Sequence, residues 1–375
     1  LKIILKFLFL MNKILLLFFF FLLLQFDLSA QVEYETFFNG ANVNDITTDG
    51  SSLWFSTYGQ GIFQYLKKEK KWNTYSTKNN LLTEDLFYCI AASKDYVWAG
   101  TTDGLMTFDR KRNLWRKRKF AAGGEYGNWI RSLYYDEKEN ILWIGRFINL
   151  TRYDIDKQKY DDFDITFGKD SRTNNIKIIR ADGNEYIWFG TEGGVFRYDK
   201  SRALEDKSQL IFYNNQRNAF RGVGDAISIS DILFDKNYIW FGTDEFITSD
   251  HPEFNVGGLF RFNRRALWER IDKRNGLPAN GIFALERTGS LIWVSSYQFD
   301  KKNKKEYGRG LALFNSATGK ITRINPDDVN LSSNTILSLY FDGESMWIGA
   351  ESGLTKVKVS NPLAYWGGKK KVKTK

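Results

Sequence analysis

The 375-residue chain is 43% hydrophobic and 17% aromatic with only four prolines, a composition that supplies a sizeable core and excludes disorder or a proline-rich linker. One histidine, His251, and one cysteine, Cys89, exclude a histidine-rich metal site, a paired-histidine acid/base mechanism and an intramolecular disulfide. The formal charge of +10 falls to +8 without the first thirty residues and to +3 without the lysines at 369, 370, 371, 373 and 375 as well, a field too weak for a nucleic-acid channel.

Residues 1–30 read as a signal peptide. Lys2, Lys6 and Lys13 precede or flank the apolar run Ile14–Leu24, and Leu28-Ser29-Ala30 before Gln31 offers the small residue a signal peptidase needs. Met11 is the expected true start. The apolar run is short for a bilayer span, so the chain is expected to be exported, periplasmic or secreted, with no lasting membrane anchor after cleavage. The residue directly after the cleavage point is Gln31 and not a cysteine that could carry a lipid.

From residue 31 onward the chain repeats. Trp54, Trp98, Trp143, Trp188, Trp240, Trp293 and Trp347 recur at intervals of 44, 45, 45, 52, 53 and 54 residues, the length of one four-stranded propeller blade. The fourth repeat shows the pattern most clearly: Ile176–Gly183, Tyr186–Thr191, Val195–Asp199 and Leu210–Tyr213 are short aromatic and β-branched runs separated by turn residues. Before each third strand stands Gly61, Gly104, Gly194, Gly258, Gly310 or Gly353, with Asn149 in the third repeat. That conservation of type predicts a left-handed backbone there. The seventh repeat stops after three strands, and Tyr34-Glu35-Thr36-Phe37 resembles a fourth. The expected fold is therefore all-β, a seven-bladed β-propeller of four-stranded antiparallel blades over residues 31–360. Its ring is closed by an N-terminal strand in the last blade, and a basic tail follows over 361–375.

Three segments carry a family resemblance. Asn275-Gly276-Leu277-Pro278-Ala279-Asn280-Gly281-Ile282, Asn334–Leu339, and Trp188-Phe189-Gly190-Thr191 followed by Gly194–Asp199 resemble the two-component regulator propeller repeat. The resemblance covers residues 31 to about 360 and implies an exported, sensor-type propeller, often linked to glycan sensing and to a membrane-bound histidine kinase. Neither a second propeller nor a kinase segment is read in this sequence.

The tryptophans lie among apolar residues once per blade, which makes them structural core. Cys89 aligns with Ser132, Asp231, Ala284 and Ser338 on inner strands, where a small buried residue is expected. The acidic cluster Asp154, Asp156, Asp161, Asp162 and Asp164 fails the calcium-loop pattern at Ile165, so neither metal nor cofactor is expected.

Functional residues are expected where blades differ. Blade five inserts Glu245–Val256 and blade six inserts Tyr297–Tyr307 between second and third strands, on the face that also carries the links between blades. Candidate ligand contacts are Tyr126, Trp129, Arg146, Phe147, Phe220, Arg221, His251, Phe254, Tyr297, Phe299 and Tyr307, because aromatic faces with polar neighbours suit a sugar or a protein hot spot. The expected function is a non-catalytic binding propeller whose partner is a glycan, a peptide or an exported protein. Two alternatives stand beside it: a lyase or hydrolase using carboxylates such as Asp45, Asp85 and Asp231, and a structural module of a cell-surface assembly.

Overall fold

The computed structural model describes residues 32–217, 219–222, 226–247, 255–324 and 330–359; the expected signal peptide, the lysine tail, His251 and Phe254 lie outside them. A compact unit spanning Tyr34–Lys358 holds seven antiparallel sheets of four strands each. Blade one comprises Val43–Thr48, Ser52–Thr57, Ile62–Leu66 and Lys71–Tyr75. Blades two to six begin with Cys89–Ala92, Ile130–Asp136, Ile176–Asp182, Ile229–Phe234 and Gly281–Thr288. Blade seven runs Ile336–Phe341, Met346–Ala350 and Gly353–Val359, and Val32–Phe37 adds its fourth strand. Thus the N-terminal strand closes the ring. Helical structure among the described residues is confined to short 3-10 turns.

The glycines before the third strands all have positive φ, from 74° at Gly310 to 152° at Gly353, and Asn149 joins them at 78°. The left-handed backbone predicted from residue type is therefore present in every blade, although in blade six Gly310 lies at a bulge inside the strand Lys305–Asn315.

A second glycine series has a different cause. Gly100, Gly145, Gly190, Gly242 and Gly349 follow each tryptophan by two residues, and each faces an inner-strand residue just after a bulge or at the strand start. A Cβ on Gly145 would lie 2.1 Å from Ser132 Oγ and 2.6 Å from Ile176 of the next blade; one on Gly190 would meet Ile229 at 2.8 Å. These glycines let the next blade's inner strand approach. In blades one and six, Ser56 and Ser295 take the position, and the Ser295 hydroxyl donates to Ile336 O of blade seven.

Trp54, Trp98, Trp143, Trp188, Trp240 and Trp347 are buried against the following blade. Trp54 packs with Ile90, Val97 and Phe108 of blade two, Trp98 with Leu133, Leu142 and Ile144 of blade three, and Trp188 with Ile232, Ile239 and Phe241 of blade five. Trp347 packs with Val43, Leu53 and Phe55 of blade one, which carries the core across the closure. The indole N–H of Trp54, Trp240 and Trp347 donates to the Asp of the first turn of its own blade, at 2.8, 2.6 and 2.7 Å. Cations from one blade reach the same turns of the blade before: Arg110 to Asp49, Lys200 to Asp136 and Arg264 to Asp182.

Two substitutions test this packing by denaturant unfolding. Trp188→Ala should cost about 3–5 kcal/mol, because it empties a space between two blades. Gly145→Ala should cost about 1–3 kcal/mol by overpacking; an unchanged midpoint for Gly145→Ala would mean that the blades separate freely at this contact.

Candidate ligand-recognition face

The hairpins between second and third strands and the links between blades meet on one face. Tyr58 N donates to Asn42 O, Phe147 N to Trp129 O, Asp244 N to Ser228 O and Glu351 N to Thr335 O, each at 2.9 Å. Residues from these two kinds of segment, far apart in sequence, therefore stand side by side.

On blades one to three they form a continuous aromatic row. Tyr58 meets Tyr88 at 5.5 Å between ring centroids, and Tyr88 meets Trp129 at 5.7 Å. Trp129 stacks on Phe147 at 5.1 Å and 6°, and Phe147 meets Tyr126 at 5.4 Å. The row ends in exposed rings, Tyr58 at 45% and Tyr126 at 61%, with exposed Leu86 bridged to Tyr58. Arg131 lies 5.6 Å from the Trp129 ring and 5.7 Å from that of Phe147, and its guanidinium is fixed by Asn175 and Glu192, each at 2.7 Å. Burial and the Tyr58 hydroxyl push the Tyr88 phenol up to about 12, so it stays neutral. Flat apolar faces edged with neutral hydroxyls suit the faces and hydroxyls of a sugar ring.

The structure divides the residues expected from sequence. Tyr126, Trp129 and Phe147 come together in this row, joined by Tyr58, Tyr88 and Arg131. Arg146 instead turns inward and is fully buried: it donates to Ala122 O and Gly127 O at 2.9 Å, pairs with Asp162 at 2.8 Å and lies over Phe120. It clamps the link entering blade three. Phe220 is core, packed on Phe241, Phe260 and Trp268. Arg221, adjacent to it, is exposed with φ of 60°.

The blade-six insertion is a hairpin and not a loose loop. Its second and third strands, Leu291–Asp300 and Lys305–Asn315, stay paired out to Asp300 and Lys305. Tyr297 is buried at its base, stacked on Phe283, with its hydroxyl 3.1 Å from Asp244 Oδ1. Phe299 N donates to Glu245 Oε2 at 2.6 Å, while Tyr307 is exposed farther along the arm. In blade five, Phe246–Ile247 pairs with Asn255–Val256. Against the penalty of burial, Lys177 and the Ser228 and Tyr297 hydroxyls hold the Asp244 carboxyl below its ordinary range.

The carboxylates considered for catalysis have other partners. Inner strands are sheet edges, and their outward N–H groups need acceptors. Asp45 Oδ2 accepts from Ile90 N at 2.9 Å, Asp231 Oδ2 from Leu285 N at 2.8 Å and Glu286 Oε2 from Phe341 N at 3.2 Å, each acceptor reaching into the following blade. Asp231 also pairs with Arg180 at 3.1 Å. Burial raises all three acids, Asp45 to about 6, with Arg180 opposing the rise. Asp85 lies elsewhere, in the link before blade two, where it accepts from Thr77 N at 2.8 Å and from the Thr77 hydroxyl. The acidic residues of blade three are dispersed too: Asp154 pairs with Lys157, Asp161 with Arg152 and Lys159, and Asp162 with Arg146. No metal-holding group of three or more His, Cys, Asp or Glu occurs among the described residues.

In sequence the chain is 26% identical over 324 residues to Histidine kinase P4 of Formosa agariphila, covering 81% of this chain. That likeness agrees with the resemblance of this chain's repeats to the two-component regulator propeller repeat. The chain spans 21% of the length of that relative. No family model matches. The extracellular domain of the hybrid two component system BT4673 from B. thetaiotaomicron superposes with a TM-score of 0.64 at 16% identity, over 88% of this chain and 40% of that one. Streptogramin B lyase superposes with a TM-score of 0.60 at 10% identity, over 88% of this chain and 98% of that one. At these identities the structural likenesses concern the fold. No helix among the described residues is long and apolar enough to cross a membrane.

Within the folded propeller, Asp45 sets a pH dependence. Its carboxyl titrates near 6 when folded and near 4 when unfolded. The folded state therefore keeps a proton that the unfolded state releases, so this contribution to stability is complete below about pH 4 and is lost as pH rises through about 6. Urea unfolding of the wild type and Asp45→Asn should diverge by about 2–3 kcal/mol between pH 4 and pH 7.5, the wild type losing more. Parallel pH profiles would assign the dependence to other groups.

Proposed function

We propose that this chain is the exported ligand-recognition propeller of a sensor-type system, and that it recognises a saccharide laid on the aromatic row of blades one to three. The observation that carries this reading is the Tyr58-Tyr88-Trp129-Phe147-Tyr126 row, exposed at both ends and braced by Arg131. Two further observations support it: the sequence relationship to a histidine kinase, and the likeness in fold to the extracellular domain of a two component system. The row sits on a rigid scaffold, so little ordering cost accompanies binding. Burial and the Tyr58 hydroxyl push the Tyr88 phenol up to about 12, which makes it a poor base near neutral pH and favours recognition over turnover.

A broad glycan array, followed by calorimetry on the best saccharide, tests the reading. Trp129→Ala should weaken binding about tenfold, the loss of roughly one aromatic stacking contact, and Tyr126→Ala somewhat less, because Tyr126 stands at the end of the row. Full affinity in the Trp129→Ala, Tyr126→Ala double variant would remove this row as the site.

A further inference from the structure

The blade-six hairpin carries a charge arrangement that the aromatic row does not use. Its strands run four residue pairs past the bulge at Ser295, from Tyr297 with Gly308 to Asp300 with Lys305. At the tip the sequence reads Lys301-Lys302-Asn303-Lys304-Lys305, and every one of these residues is exposed. None of the four lysines forms an ion pair with an acid among the described residues. Two acids flank these lysines, and Asp300 is engaged within the turn. Asp300 accepts from Lys302 N at 2.8 Å, Asn303 N at 3.1 Å and Asn303 Nδ2 at 2.9 Å, which close the turn. The Glu306 carboxyl is raised by burial and by the nearby Asp244 charge. The tip therefore sets four exposed lysines against two flanking acids and is net positive.

The arm under that tip is braced. Tyr297 is anchored to Asp244, Phe299 N to Glu245, and Arg309 donates to Gln298 Oε1 at 2.9 Å. Four ammonium groups on one braced turn form a compact positive patch that is complementary to an anionic surface. A convex turn of lysines offers point charges without a cleft or a guanidinium fork, so it suits a flat, densely anionic surface better than a discrete ligand.

We propose that the blade-six hairpin tip is an electrostatic docking element for an anionic lipid bilayer surface. Each lysine near such a surface contributes on the order of a fivefold gain in partition, and the effect fades beyond a Debye length. The contact is peripheral and reversible, and it is separate from the saccharide row of blades one to three.

The test is co-sedimentation of the full chain with phosphatidylcholine vesicles, with and without phosphatidylglycerol, alongside a variant carrying Lys301→Glu, Lys302→Glu, Lys304→Glu and Lys305→Glu. Leader and tail are identical in both proteins, so the difference reports the tip. The wild type should gain binding from phosphatidylglycerol, the variant should lose about tenfold or more of that gain, and added salt should erase the difference. A matching set of Lys→Gln changes with unaltered thermal unfolding separates lost charge from lost folding. Trp129→Ala should bind vesicles as the wild type does, so failure of the saccharide reading leaves this result intact. Equal response of wild type and variant to phosphatidylglycerol overturns the proposal, as does tip-dependent binding to a soluble polyuronate with none to vesicles.

Discussion

A four-stranded blade cannot bury its own tryptophan. The indole of Trp188 is covered by Ile232, Ile239 and Phe241, all from the next blade, and the same relation links Trp347 of blade seven to Val43 and Phe55 of blade one. The apolar core is thus a set of interfaces between blades, and it becomes complete only when the ring closes. Burying an indole removes roughly 200 Å² from water, worth several kcal/mol, so closure is strongly favoured. The N-terminal strand Val32–Phe37 follows from the same constraint, since it gives the third strand of blade seven, Gly353–Val359, the partner that an open ring would leave exposed.

Close packing of blades has a polar cost, which inner-strand side chains offset. Asp45, Asp231 and Glu286 accept backbone N–H groups of the following blade, while Ser132 and Ser338 donate to its carbonyls. These residues look like candidates for chemistry in a sequence, being acidic or hydroxylic at recurring positions. Their geometry shows them satisfying edge strands. The raised pKa of Asp45 belongs to that structural task, and it ties stability to pH without requiring a reaction.

The blades differ on the face where hairpins and links meet. Blades one to three pool aromatic rings into an exposed row, blade five adds the Phe246–Ile247 and Asn255–Val256 pair, and blade six raises a lysine-tipped arm. A rigid ring presenting variable segments allows recognition to be specialised by sector while the core stays constant.

The sequence by itself determined the number of blades, their strands, the left-handed turns at Gly61 through Gly353 and Asn149, and the closure by the N-terminal strand. These are local or periodic properties: tryptophan spacing, strand alternation and backbone tolerance are written in neighbouring residues. Only the tertiary structure decided which irregular residues face outward. Arg146, Phe220 and Tyr297 have the same residue types as binding groups, yet each is drawn inward by partners distant in sequence, Asp162, Trp268 and Asp244. Tyr58 and Tyr88 went unnoticed for the complementary reason. A tyrosine in a hairpin and another beside an inner strand signal nothing separately, although aligning the blades would have placed both on one face. They join Trp129 in one aromatic row because ring closure sets three blades side by side.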